Sequence, residues 1–144
     1  MAARRGRRSR RPEPREVTID SMSHEGRGIA HVNGKTVFVF GALEGEKVLM
    51  QVLKSSRKFD QATTLEVIEA SPQRIEARCA AFQVCGGCSL QHLANEDQLA
   101  LKQQALLDMM AHAGVSIGEV IPALRGNDWG YRRKARLGVK YVAK

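Results

Sequence analysis

The chain has 144 residues, 43% of them apolar and 26% charged, and a net charge of +8. That length suits one ordinary domain, or a small domain with part of another. No apolar run approaches the roughly 20 residues of a membrane span, and the basic start lacks the apolar stretch of a secretory signal, so a cytoplasmic protein with no membrane partner is expected.

Residues 1–16 carry seven arginines against Glu13 and Glu16, a local charge of +5, and too few apolar groups to offset ordering entropy. They read as a disordered arginine-rich arm. From Val17 the pattern changes to short alternating strands. Val17 to Asp20 is the first, Gly26 and Gly28 allow a sharp bend, and Ile29 to Val32 is the second. Asn33-Gly34 is a strong hairpin signal, because both turn positions want positive φ. Lys35 to Phe40 returns. Phe38 and Phe40 share one strand face, so at least one of them is expected in the core. Lys47 to Lys54 follows, with Val48, Met50 and Val52 on one face, and Thr63 to Ile68 completes the set. Five short strands in residues 17–70 suggest an OB-like β-barrel, a common nucleic-acid-binding scaffold.

Ser71-Pro72 opens a linker and a cysteine loop over residues 71–94. Asn95 then reads as a helix N-cap, with acids at Glu96 and Asp97 and Gln98 at the capping-box position. Leu99, Leu106 and Met109 keep helical spacing and read as core packing, and Gly114 is a natural stop. Arg136 to Val142 alternates like a strand. Residues 131–144 hold six basic residues and no acid, while residues 17–130 sum to −3. Positive charge gathered at two places is the footprint of a phosphate-rich partner. On a strand, Arg132, Lys134 and Arg136 would share one face.

The only cysteines are Cys79, Cys85 and Cys88, spaced C-x5-C-x2-C around Gly86-Gly87 and followed by His92. Thiols confined to one glycine-rich run suggest a metal in a reducing compartment, not disulfides. Soft thiolates suit both zinc and an iron–sulfur cluster. The spacing leaves three readings: a cluster one ligand short, a Cys3His zinc site that uses His92, or three buried, inert cysteines.

The run from Cys79 to His92 closely resembles the cluster-binding loop of bacterial RNA uracil-5-methyltransferases. The preceding stretch Ile19 to Ala30 looks like the first half of a TRAM domain, an OB-like RNA-binding module. The following stretch Tyr131 to Gly138 looks like the start of that family's central domain. This order is similar to the TRAM-containing 23S rRNA (uracil-5-)-methyltransferases. Radical methylthiotransferases also pair a cluster with TRAM, but their C-x3-C-x2-C spacing and domain order disagree with this chain.

The resemblance implies an α+β organisation with TRAM at 17–70, an iron–sulfur loop at 71–94 and the start of a truncated central domain at 95–144. It implies that Cys79, Cys85 and Cys88 ligate a 4Fe–4S cluster whose fourth ligand is not in the chain. It implies 23S ribosomal RNA as partner, a monomer, and S-adenosyl-L-methionine bound in a Rossmann-like domain that is absent here together with every catalytic residue. Methyl transfer would then need residues beyond these, and the chain alone would be inactive. The alternative is a stand-alone RNA-binding module with the zinc loop. Candidate RNA contacts are Arg27, Lys35, Arg132, Arg133, Lys134 and Arg136, with His24, Phe38 and Phe40 able to offer stacking surface.

Overall fold

The computed structural model describes residues 12–136, 138, 139, 141 and 142. Most of the expected arm lies outside them. Six strands form one sheet: β1 (Arg15–Thr18), β2 (Ser21–Met22), β3 (Gly28–Val32), β4 (Lys35–Phe40), β5 (Lys47–Ser55) and β6 (Phe59–Glu69). Their order across the sheet is β1-β5-β6-β4-β3-β2.

The two edges of this sheet are consecutive pieces of one segment. β1 pairs with β5 through Val17 opposite Val48, and β2 pairs with β3 through Ser21 opposite Ile29. Between them the chain bends at Ile19-Asp20, whose N–H groups donate to the carbonyls of Glu46 (2.9 Å) and Ile29 (2.8 Å). One kinked strand thus bonds both ends of the sheet, and the sheet closes on itself. Counted this way the barrel has the five strands expected, with the first broken in two. All neighbouring pairs are antiparallel except β4 and β6, which run parallel. Register shifts between β5 and β6 at Lys47/Val48, Leu49/Met50 and Val52/Lys54 supply the local bending that closure requires.

The core consists of Ile19, Ala30, Val37, Val39, Ala42, Val48, Met50 and Ala62. These are mostly small or β-branched, as a narrow barrel interior demands. Val52 packs at its margin, on the same face as Val48 and Met50 as expected. The expectation for β4 is corrected. Val37 and Val39 point inward, so Phe38 and Phe40 both lie on the outer face, and neither is core. Asn33 (φ 52°) and Gly34 (φ 75°) form the hairpin turn between β3 and β4. The arm boundary also moves: Arg15 and Glu16 belong to β1, paired opposite Met50 and Leu49.

Among the described residues there is one helix, α1, which spans Asn95–His112. Ala94, not Asn95, occupies the N-cap position; the Asn95 Oδ1 accepts from Gln98 Nε2 (3.2 Å) and its Nδ2 donates to Asp128 Oδ2 (2.7 Å). Gly114 ends the helix as expected: at φ 72° its N–H donates to the Ala111 carbonyl, and Val115 N–H donates to Met110. The reading of Leu99, Leu106 and Met109 as core is corrected, because α1 contains no buried residue and Leu106 and Met109 are about half exposed. No other strand or helix among the described residues lies against it to cover that stripe. The strand expected at Arg136–Val142 does not form among its described residues; Leu137 and Lys140 lie outside them. A strand needs a partner to accept its hydrogen bonds, and none of the described chain runs beside it.

Candidate nucleic-acid interface and cysteine loop

The outer face of the barrel carries a row of aromatics. β4 presents Thr36, Phe38 and Phe40 outward; their parallel partners on β6 are Phe59, Gln61 and Thr63. Phe38 and Phe59 meet edge to face with ring centroids 5.5 Å apart. Phe40 is 41% exposed, and the Arg27 guanidinium sits 4.3 Å above its ring. Successive outward side chains on a strand lie about 6.6 Å apart, so this face offers ring surface at regular intervals. Aromatic faces of this kind stack unpaired bases without regard to sequence.

Cations border the row. At one end the β5–β6 hairpin exposes Lys54, Arg57 and Lys58. These three were missed from the sequence, although three cations within five residues between two strand patterns are a readable signal. At the other end stands Arg27, which also pairs with Glu25 (3.0 Å). Lys35 is less available than expected: its Nζ donates to Asp60 and to Ser55 Oγ (3.1 Å). Burial alone would raise the Asp60 carboxyl, but its hydrogen bonds from Lys35 and Ser55 outweigh that and hold it below the usual carboxylate range. Arg132, Arg133, Lys134 and Arg136 are all exposed, as phosphate contacts should be, but without the strand that would align three of them.

The cysteine loop sits against the barrel at two glycines. A Cβ on Gly26 would lie 2.9 Å from Leu90, and one on Gly41 only 2.2 Å from Gln83 Nε2. Both glycines have φ of 77°, which also favours glycine there. Deeper in the joint, Glu46 is fully buried and accepts from Arg74 Nη2 (2.7 Å) and Nε, from Leu43 N–H (2.8 Å) and from Ser71 N–H (3.1 Å). Arg74 Nη2 donates further to the Gly41 carbonyl (2.8 Å). Burial pushes the Glu46 carboxyl up, but these donors and the Arg74 charge together hold it below its ordinary value. Arg74 is also bridged to Leu93, with Ile75 N–H donating to the His92 carbonyl (3.0 Å) and Ala94 N–H to Gln73 (3.1 Å). The linker thereby ties the barrel to the end of the cysteine loop. Neither Glu46 nor Arg74 was singled out by sequence.

Cys79, Cys85 and Cys88 are exposed free thiols. Their backbone turns sharply at Gln83 (φ 68°) and Gly86 (φ 73°), and Cys79 N–H donates to Gln91 Oε1 (3.2 Å). His92, in contrast, is 2% exposed, lies 5.2 Å from the Phe82 ring, and has no hydrogen-bond partner on either ring nitrogen. Burial and the nearby Arg74 charge depress its pKa to about 4, against a weaker opposing pull from the Glu46 charge. His92 is thus a buried neutral ring, and the histidine of the Cys3His alternative is not gathered with the exposed thiols. Among the described residues no three His, Cys, Asp or Glu side chains are drawn together tightly enough to hold a metal ion. The donor chemistry itself, three soft thiols in one tight loop, fits a thiolate-bound zinc or iron–sulfur centre.

Residues 9–65 match the TRAM domain family. A 23S rRNA (uracil(1939)-C(5))-methyltransferase of Nitrosococcus oceani is 52% identical over 134 residues, 92% of this chain and 30% of that protein. The protein of the same name from Methylococcus capsulatus is 48% identical over 97% of this chain and 32% of its own length. A solution structure of a conserved protein from Methanococcus maripaludis shares 31% identity over 45% of this chain and 93% of its own, with a TM-score of 0.38, too low to carry a fold argument. The chain spans about a third of the length of the curated relatives it matches. It contains a TRAM domain and is related by sequence, along nearly all of its length, to the 23S rRNA uracil-5-methyltransferases.

Proposed function

We propose that this chain is the RNA-binding and cluster-bearing part of an S-adenosylmethionine-dependent methyltransferase that forms 5-methyluridine in 23S rRNA. The observation that carries the reading is the 52% identity, across 92% of the chain, to a protein named for that reaction. The barrel's aromatic face and its cationic borders support the RNA half. Arg27, Lys54, Arg57 and Lys58 line one surface, and Arg132, Arg133, Lys134 and Arg136 add a second set of phosphate contacts, with Lys35 available only at the expense of its Asp60 pair.

Cys79, Cys85 and Cys88 would hold the 4Fe–4S cluster, with a fourth ligand from outside this three-cysteine chain. When bound, the cluster would fix the loop and place negative charge in it; addition of a thiol to uracil and methyl transfer need no electron from it. S-adenosylmethionine binding and the catalytic residues belong, in this reading, to the part of the relatives that the chain does not span, so the chain by itself is inactive. It acts as a monomer in the cytoplasm.

The test is oxygen-free purification of the longer protein that carries this chain, with iron and acid-labile sulfide assayed alongside transfer of labelled methyl groups to a 23S rRNA transcript. Iron and sulfide that vanish in Cys85→Ser, with label recovered as 5-methyluridine, are the expected results. A protein that holds zinc alone and transfers no methyl group would leave the module reading in its place.

A further inference from the structure

A groove of about 670 Å3 runs along the seam between the barrel and the cysteine loop. Arg27, Phe40 and Leu53 line it from the barrel, and Phe82, Gln83 and Cys88 from the loop. Its volume falls in the range of small-ligand sites. The groove continues the aromatic row, because Phe40 is both the last outward residue of β4 and a wall of the groove. Its barrel side combines an exposed ring with a guanidinium stacked on it at 4.3 Å. That pairing offers a flat π surface and a positive charge together, which is the chemistry that takes up a base with its phosphate.

We infer that this seam is a slot for one unpaired nucleotide of the RNA, with the base extending the Arg27–Phe40 stack and the cysteine loop forming the far wall. The inference rests on the RNA-binding reading of the barrel and goes beyond it. It makes the loop part of the RNA interface, where a barrel acting alone would need no such wall. The slot exists only because the loop is seated on Gly26 and Gly41 and tied down by Arg74 and Glu46. An RNA strand tracking from the Lys54–Lys58 hairpin along Phe59, Phe38 and Phe40 reaches it without turning back.

The experiment uses the intact chain with a thiouridine-substituted, fluorescein-labelled oligouridylate. Two variants separate the slot from the reading beneath it. Phe40→Leu keeps an apolar side chain on an exposed position, so folding, checked by circular dichroism, is preserved. It is expected to weaken binding about tenfold through lost stacking. Lys54→Ala/Arg57→Ala/Lys58→Ala removes the hairpin charge, and is expected to weaken binding and flatten its salt dependence. Photo-cross-links in wild type are expected within residues 82–89. Cross-links confined to the barrel strands, or a Phe40→Leu affinity within about twofold of wild type, overturn the slot while loss in the triple variant keeps the barrel reading. If neither variant changes binding, the RNA reading itself falls.

Discussion

Arg74→Ala tests whether one buried ion pair holds the cysteine loop on the barrel. In wild type the Glu46 carboxylate is fully buried and takes both of its charged hydrogen bonds from Arg74, which is one-fifth exposed. Removing the arginine leaves a buried carboxylate with only the Leu43 and Ser71 N–H donors, and orphans the Gly41 carbonyl. Stranding one partner of a buried pair costs about 3–5 kcal/mol. The partial exposure of Arg74 admits water to the gap and sets the expected loss at the lower end, about 3 kcal/mol. Replacing both residues by methionine is expected to cost less than Arg74→Ala alone, because no charge is then left uncompensated. The pH dependence follows from the depressed carboxyl. A group whose folded pKa lies below its unfolded value contributes stability above the unfolded value, here 4.5, and loses it as pH falls through the folded one. Wild type is therefore expected to weaken below pH 4.5, whereas Arg74→Ala, in which only the Leu43 and Ser71 N–H donors still oppose burial, gains relative to wild type as Glu46 takes up a proton. Urea denaturation followed by circular dichroism across this range measures both. A penalty below about 1 kcal/mol, or one independent of pH, would refute the argument that Glu46 and Arg74 act as a desolvated pair.

Three further outcomes are expected. His92→Phe should remove an acid-labile component of stability: the buried neutral ring stabilises the fold fully above pH 6.5 and progressively less toward about 4, a span of about 3 kcal/mol, and a wild-type stability flat across that window would exclude it. Gly28→Ala places a methyl group 2.9 Å from Ile19 and 3.3 Å from the Ala42 carbonyl, inside the core, and should cost about 2 kcal/mol by the same urea assay. Deleting residues 95–144 should leave the thermal midpoint of the barrel nearly unchanged, since α1 contains no buried residue; a drop of more than about 8 °C would mean that the helix supports the barrel after all.

The barrel was legible in the sequence because its signals are local. Asn33-Gly34 fixes a turn through its own φ angles, and the alternation of Val48, Met50 and Val52 fixes a face. The periodicity of β4 was equally clear but could not choose its inner side, because Val37 and Val39 alternate with Phe38 and Phe40 and both sets are apolar. The barrel decides it: an interior already filled by Ala30, Ala62, Val48 and Met50 has room for two valines and not two phenylalanines. The Asn95 cap failed for a different reason. The side-chain oxygen that a cap would turn toward the helix N–H groups accepts instead from Gln98 Nε2, while the amide nitrogen donates to Asp128, 33 residues away, and distance along the chain hides that second anchor.

Glu46 shows the same limit where it matters most for the site. In sequence it is one more acid in a turn-rich connector between β4 and β5, and its partner Arg74 stands 28 residues later in a linker. Only the closed barrel brings them together, and Gly41 explains why they meet at the cysteine loop. Its bare Cα lets Gln83 approach, and its carbonyl accepts from Arg74. Seating the loop and burying the ion pair are therefore coupled at one residue. A side chain at Gly41 would displace Gln83 from one side of the groove, and loss of Arg74 would release the linker that anchors the other end of the loop. The aromatic face of the barrel needs neither residue to exist. The seam needs both, and the cysteine loop therefore depends on the barrel for its position more than the barrel depends on the loop.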